Sequence, residues 1–237
     1  MNRIALSLLA AAAWLAAAPS GAQDTIKPTA VLQSPNVIDF GAPLLLSGVE
    51  SIDVGGQIAR YVWTHVEGSG GNMPLNMPFG TLTNTYLVPQ PAGNPLALDR
   101  HRFQLFVDDN SGNRSNAQEV SVIVADRAPP TAVLDVPKLV MQTQAFQLSG
   151  ARSIDVGGRI AGYQWSRMAG SADGPMPLNT PIVTTTNVLT IAQSATSYLG
   201  IGRHVFRLAV VDDSGNQSKA TEAAVEVVAP LPGGKTQ

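Results

Sequence analysis

The sequence predicts an all-β chain: two tandem antiparallel β-sandwiches behind a cleaved export signal. Three observations predict it. The chain repeats itself over most of its length, its apolar residues alternate with a period of two between closely spaced turns, and its first 22 residues read as a leader. Composition agrees, since 237 residues carrying 22 Gly and 17 Pro are too rich in turn formers for a helical bundle.

The leader comes first. Asn2 and Arg3 give a short positive start, and Ile4 to Ala18 is an apolar run too short to span a membrane comfortably. Pro19 breaks the run, and Ser20-Gly21-Ala22 supplies a small-x-small cleavage pattern, so 1–22 is expected to be removed and the mature chain to begin at Gln23 or Asp24. This places the protein in the periplasm or outside the cell through a Sec-type signal. Cysteine is absent, which excludes a lipidated cysteine anchor, disulfides, thiolate zinc sites and a cysteine nucleophile. Each half must therefore rest on packing alone, and about 100 residues suffice for an adequate core.

The repeat is close. Pro28-Thr29-Ala30-Val31-Leu32 recurs as Pro130-Thr131-Ala132-Val133-Leu134, and Ser51 to Trp63 recurs from Ser153 to Trp165 with 10 of 13 positions identical. Met73 to Asn76 returns as Met176 to Asn179, and Phe103 to Val107 with Asp109 and Ser111-Gly112-Asn113 returns as Phe206 to Val210 with Asp212 and Ser214-Gly215-Asn216. The offset drifts only from 102 to 103, the mark of tandem duplication. Asp24 ahead of the first unit recurs as Asp126 ahead of the second, which supports cleavage just upstream of Asp24. The expected units are 23–126 and 127–229, with a frayed tail at 230–237. Pro129-Pro130 makes the joint short and stiff.

Strands are expected near 29–33, 43–48, 58–66, 82–88, 101–108 and 117–125, and near 131–135, 144–149, 160–168, 182–191, 203–211 and 219–228. Six or seven strands in about 100 residues indicate a sandwich. The duplication also separates inside from outside. Ala59, Tyr61 and Trp63 recur as Ala161, Tyr163 and Trp165, whereas the alternate Arg60, Val62 and Thr64 become Gly162, Gln164 and Ser166. Side chains alternate faces along a strand, so Tyr61, Trp63, Tyr163 and Trp165 belong to the cores. On the opposite face the first unit carries Val62, Phe106 and Ile123 where the second has Gln164, Ala209 and Glu226. That reads as an apolar stripe, and hence a candidate partner face.

The pattern S-x-D-x-x-G-x-I-x-x-Y-x-W is carried by Ser51, Asp53, Gly56, Ile58, Tyr61 and Trp63, and again by Ser153, Asp155, Gly158, Ile160, Tyr163 and Trp165. F-x-L-x-V-x-D-x-x-G-N follows at Phe103 to Asn113 and at Phe206 to Asn216. Together they resemble the polycystic-kidney-disease (PKD) repeat family over nearly the whole mature chain. The resemblance implies immunoglobulin-like sandwiches, usually non-catalytic modules of secreted and cell-surface proteins. The Trp-Asp-Phe-Gly-Asp-Gly segment common in the family is replaced by Trp63-Thr64-His65-Val66-Glu67-Gly68 and Trp165-Ser166-Arg167-Met168-Ala169-Gly170, closer to the variant related to receptor-for-egg-jelly modules. The family's tyrosine before the F-x-L-x-V strand is replaced by His101 and His204, for which a structural hydrogen bond is the expected role.

In such a sandwich the loops carrying the acidic residues crowd one end. Asp53 with Asp108 and Asp109, and Asp155 with Asp212 and Asp213, are candidate oxygen ligands for calcium, the one cofactor the sequence suggests. The alternative is that these aspartates accept backbone N–H groups and stabilise glycine-containing turns. No nucleophile–base constellation, H-E-x-x-H or phosphate-cradling loop occurs, so no enzyme is expected. A net charge of −2 with 14% charged residues offers no basic surface for nucleic acid. The expected function is a non-catalytic binding or spacer module whose partner is a protein or glycan at the cell envelope. Two alternatives stand: a carbohydrate-binding protein, with Phe79, Tyr86 and Tyr198 as candidate platform aromatics, and a structural subunit of a surface assembly.

Overall fold

The computed structural model describes residues 24–172 and 174–230, so the expected leader and the tail from 231 onward lie outside the described residues. The first unit comprises β1 (Val37–Asp39), β2 (Leu44–Ser47), β3 (Ile58–Glu67), β4 (Phe79–Thr81), β5 (Thr85–Val88), β6 (Asp99–Asp109) and β7 (Gln118–Ala125). The second repeats it as β8 (Leu139–Met141), β9 (Phe146–Ser149), β10 (Ile160–Ala169), β11 (Ile182–Thr184), β12 (Val188–Ile191), β13 (Gly202–Asp212) and β14 (Thr221–Val228). No helix occurs among the described residues, and none there is long and apolar enough to cross a membrane. The fold is all-β, two immunoglobulin-like sandwiches in tandem.

In each unit a five-stranded sheet, β1-β7-β6-β3-β4 or β8-β14-β13-β10-β11, faces a small one, β2-β5 or β9-β12. Pairing is antiparallel with one exception: β1 runs parallel to β7, and β8 parallel to β14. The stretch expected as the first strand explains this. Residues 29–33 touch the small-sheet side through bridges Thr29–Ile52 and Gln33–Ser47, and the chain then crosses to the other sheet as β1. Pro35 lies at the crossing and Pro137 at its copy, and proline cannot continue a ladder because it lacks the N–H. One short segment thus covers the edges of both sheets.

The expected strand at 82–88 begins instead with a turn, with β4 ahead of it, and its copy expected at 182–191 is split in two. β4 pairs with β3 in the large sheet, and β5 pairs with β2 in the small one. The turn between them is tied by hydroxyls, with Thr81 Oγ1 donating to the Thr83 carbonyl at 2.8 Å and Thr83 Oγ1 to the Thr85 carbonyl at 3.0 Å. Trp63 Nε1 donates to that same Thr81 Oγ1 at 2.8 Å, and Trp165 Nε1 to Thr184 Oγ1 at 2.9 Å. Each tryptophan is 0% exposed, so the indole fills the core while its one polar atom holds the sheet-switching turn. Tyr61 and Tyr163 stack beside them, with ring centroids 6.2 and 5.9 Å away. Gly48 and Gly150 permit this packing: a Cβ there would stand 3.0 and 2.9 Å from the ring carbons of Tyr61 and Tyr163.

The apolar stripe expected on the outer face of the first unit is corrected. Val62 is only 4% exposed, because it sits on the inner strand β3 between Phe106 of β6 and Gly80 of β4. Phe106 is half-buried, with the Arg114 guanidinium 5.5 Å above its ring. Ile123 alone of the three is open to solvent. Alternation correctly assigns the face, but burial on that face is decided by which long side chains lie across it.

Candidate functional site

At one end of each sandwich three carboxylates converge. In the first unit they are Asp24, Asp53 and Asp109; in the second, Asp126, Asp155 and Asp212. Each contributes an oxygen, and within a triad these oxygens lie within 4.8 Å of one another. Three different segments supply them: the lead-in ahead of each unit, the loop before the tryptophan strand, and the C-terminal end of the longest strand.

Asp109 is held as a turn former. Its Oδ1 accepts from Ser111 N and Asn113 N, both at 2.8 Å, and its Oδ2 from Asn113 Nδ2 at 2.7 Å. Burial pushes its pKa up, but the hydrogen bonds from Asn113, Ser111 and Gly112 outweigh that and hold it below the ordinary carboxylate value. Asp212 repeats the pattern with Ser214 N at 3.0 Å, Asn216 N at 2.7 Å and Asn216 Nδ2 at 2.9 Å. The turn-stabilising role weighed from sequence therefore exists for these two.

For Asp53 and Asp155 it is slight: the oxygens of each are shielded from solvent and make no well-formed hydrogen bond, the N–H of Val54 or Val156 next along the chain lowering the pKa only in part. Desolvation, and after it the neighbouring carboxylates Asp109 and Asp24, push Asp53 above the usual carboxylate range. Asp155 is pushed up by the same desolvation and by Asp126 and Asp212. Asp24 and Asp126 are half engaged. One oxygen of each accepts a local N–H, from Ile26 at 2.8 Å and Ala128 at 3.0 Å, while Oδ2 is left unpartnered. The backbone oxygens of Asp24 and Asp126 accept from Asn113 and Asn216 at 2.9 and 3.3 Å, which locks the lead-in against the turn.

Two expected members of the clusters fall outside the triads, each held by an arginine. Asp108 points to the outer face, where Arg114 holds it at 2.6 and 2.9 Å and draws its pKa down. Asp213 stands beside Asp155, whose pKa it helps to raise, but accepts from Arg159 N and Nε, each at 3.1 Å. Adjacent strand residues point to opposite faces, so Asp108 and Asp109 cannot serve one site. The residues missed are Asp24 and Asp126. Their recurrence is visible in the sequence, but there it points to leader cleavage and carries no sign of the site.

The paired histidines do make structural hydrogen bonds. His101 Nε2 lies 2.8 Å from the Ala97 carbonyl and His204 Nε2 2.7 Å from that of Gly200. Of the candidate platform aromatics, Phe79 and Tyr86 pack edge to face at 4.7 Å against the first core, and Tyr198 is exposed. Phe79 and Tyr86 also border a cleft of about 270 Å³ with Asn72, Pro74, Met77 and Pro78.

No family model matches the chain. Among curated proteins it is similar to the dyslexia-associated protein KIAA0319 homolog of Mus musculus, 32% identical over 181 residues, and to that of Rattus norvegicus, 30% identical over 181 residues. The match takes in 75% of this chain and 15% of each relative, so the chain corresponds to a small part of those proteins' length. Among solved structures it is similar to the fibronectin(III)-like modules of Clostridium thermocellum CbhA, with 13% identity, a TM-score of 0.32, and coverage of 84% of this chain and 94% of that one.

Proposed function

We propose that the chain is an exported, non-catalytic binding and spacer protein, built of two PKD-like units that present sheet faces and loop ends to a protein or glycan at the cell envelope. One observation carries the reading. The similarity to the mouse relative runs over 181 residues, more than a single unit of about 100, so what is shared is the tandem pair rather than an isolated sandwich. A duplicated pair embedded in a longer protein fits a module that sets spacing and offers surface.

Cell fractionation with mass spectrometry of the mature N-terminus, joined to cross-linking on intact cells, tests this. A chain starting at Gln23 or Asp24 outside the cytosol, with one reproducible cross-linked partner that binds the purified protein, supports it. A cytosolic chain with residues 1–22 attached, or turnover of a substrate by the purified protein, overturns it. The Phe79–Tyr86 cleft favours a second reading, a glycan partner, because apolar walls with an amide at the rim suit a sugar ring. Binding on a glycan array that is lost in Tyr86→Ala would replace the protein partner by a saccharide.

A further inference from the structure

We propose that Asp126, Asp155 and Asp212 bind a calcium ion, and that the ion clamps the segment between the two units onto the second sandwich. The inference concerns the joint itself and stands whether or not the module has a partner.

Asp126 carries the argument. It is only 8% exposed, its Oδ2 has no hydrogen-bond partner, and its carboxylate brings an oxygen within 4.8 Å of those of the other two. Both oxygens of Asp155 are in the same condition. Three buried carboxylate oxygens without well-formed hydrogen bonds within one triad are costly, because each has lost water and faces like-charged neighbours, with the Val156 N–H beside Asp155 offsetting only part of that. A cation removes that cost. Oxygens that share a calcium ion at 2.3–2.6 Å stand no more than about 5 Å apart, and the triad's oxygens lie within 4.8 Å. An all-carboxylate set selects a hard cation. The backbone is shaped around the group as well. A Cβ on Gly158 would run into Asp213 Oδ1 and lie 2.9 Å from Asp155 Oδ2, and one on Gly157 would lie 3.0 Å from the Asp126 carboxyl carbon. The same three oxygens, Asp24 Oδ2 and both of Asp53, are unpartnered in the first unit, so the arrangement was kept through duplication.

The mechanical consequence follows from where Asp126 sits. It comes directly after β7 of the first sandwich and precedes the bridge of Thr131 to Ile154 in the second. Its Oδ1 accepts from Ala128 N and its carbonyl from Asn216, so an ion on Oδ2 adds a third tether to a four-residue span ending at Pro130. Calcium over magnesium follows from geometry, since magnesium demands near-ideal octahedral spacing and keeps its waters, whereas three carboxylates on separate segments suit the wider, more adaptable calcium shell.

The mature chain carrying Asp53→Asn, which isolates the second triad, is titrated with calcium chloride after chelation. One ion is expected to bind, with half-saturation on the order of 10⁻⁴ to 10⁻³ M, and none after adding Asp155→Asn. Hydrogen exchange at Ala128 should slow about tenfold at ten times the half-saturating concentration. With chelator present, Asp155→Asn should melt no lower than its parent, because it removes one of three like charges; with calcium present it should melt lower. No heat up to 10 mM calcium, or equally tight magnesium binding, overturns the calcium site. A lower melting point for Asp155→Asn in chelator assigns Asp155 a metal-free structural role and also overturns it. Binding that leaves Ala128 exchange unchanged overturns the clamp.

Discussion

The two units share a fold to the residue, yet they solve one buried polar problem differently. Behind the tryptophan strand a long loop turns back over the core and needs a donor at its base. In the first unit that donor set is a stacked pair: His65 Nδ1 lies 3.2 Å from the Met73 carbonyl, and His65 Nε2 lies 3.0 Å from His101 Nδ1. In the second, Arg167 stands where His65 stood, 0% exposed, reaching the carbonyls of Ser171 at 2.8 Å and Ala172 at 3.2 Å. His204 keeps its bond to Gly200, but its Nδ1 has lost the partner that His65 gave His101. Duplication therefore preserved the requirement that loop carbonyls be satisfied, not the residue that meets it. It did preserve the acidic triads, where the residue type itself is what has been kept.

The strongest way to break the equivalence is to remove one core and ask whether the other notices. Trp63→Ala should cost the first unit about 3–5 kcal/mol, through lost burial, a cavity and the loss of the bond to Thr81. The only other tryptophan among the described residues is Trp165, so its emission in the variant reports the second unit alone. Each unit has its own cluster of buried residues, with no member in common. The Trp165 denaturation midpoint is therefore expected to be unchanged, and a shift comparable to the loss in the first unit would show the two sandwiches unfolding as one.

Acid should sharpen the difference at the loop base. Burial, reinforced by the neighbouring His101, holds the His65 pKa below its ordinary value of 6.5 against the opposing pull of the Met73 and Glu67 backbone. Below pH 6.5 the unfolded first unit takes up a proton that the folded one resists. Stability contributed above 6.5 is thus lost as pH falls through the lowered folded value. Arg167 is charged throughout, so the second unit lacks this loss. Asp53 and Asp155 are both raised, and their protonation favours folding in both units alike. Between pH 7 and 5 the first unit's midpoint, followed in Trp165→Phe, should fall relative to the second's, followed in Trp63→Phe. Parallel shifts in the two would remove His65 as the cause.

What was legible in the sequence divides along the same line. The repeat, the sandwich class and the core face were all readable, because period-two alternation around Tyr61-Val62-Trp63 is local and the second copy acts as a control for it. The sheet switches were not. Residues 182–191 look like one strand, since nothing local distinguishes a strand that continues from one that hops sheets on Thr184 and Thr186 hydroxyls. For the acidic ends, Asp53, Asp109 and their copies were found by motif. Asp108 enters only by adjacency, although neighbours on a strand face opposite ways; Asp213, one residue past the end of β13, does stand beside Asp155 but is held by Arg159. Asp24 and Asp126 were missed because their approach to the triads depends on how the lead-in docks, held by Asn113 and Asn216 about 90 residues away.

The smallest expected effect tests the outer face. Ile123 is 47% exposed on β7, in register with Arg100 of β6 and Val37 of β1. Its copy Glu226 occupies the same place against Arg203 and Leu139, so a carboxylate is already tolerated there. Ile123→Glu should change stability by less than about 0.5 kcal/mol, because little apolar area is surrendered and Arg100 stands opposite. Val62→Gln, the corresponding exchange on β3, should cost clearly more, since Val62 is enclosed between Phe106 and Gly80 whereas Gln164 is partly open and bonded to Gln217. The contrast separates a residue that faces outward from one that is outside. With Val62 covered and Phe106 beneath Arg114, Ile123 keeps only Val37 beside it as an exposed apolar neighbour from the adjoining strand, and so small an apolar pair is ordinary on protein surfaces. Sedimentation of Ile123→Glu is accordingly expected to match the parent. A shift to a smaller species would restore this face as a site of self-association and make the outer strands the place where the two units differ most.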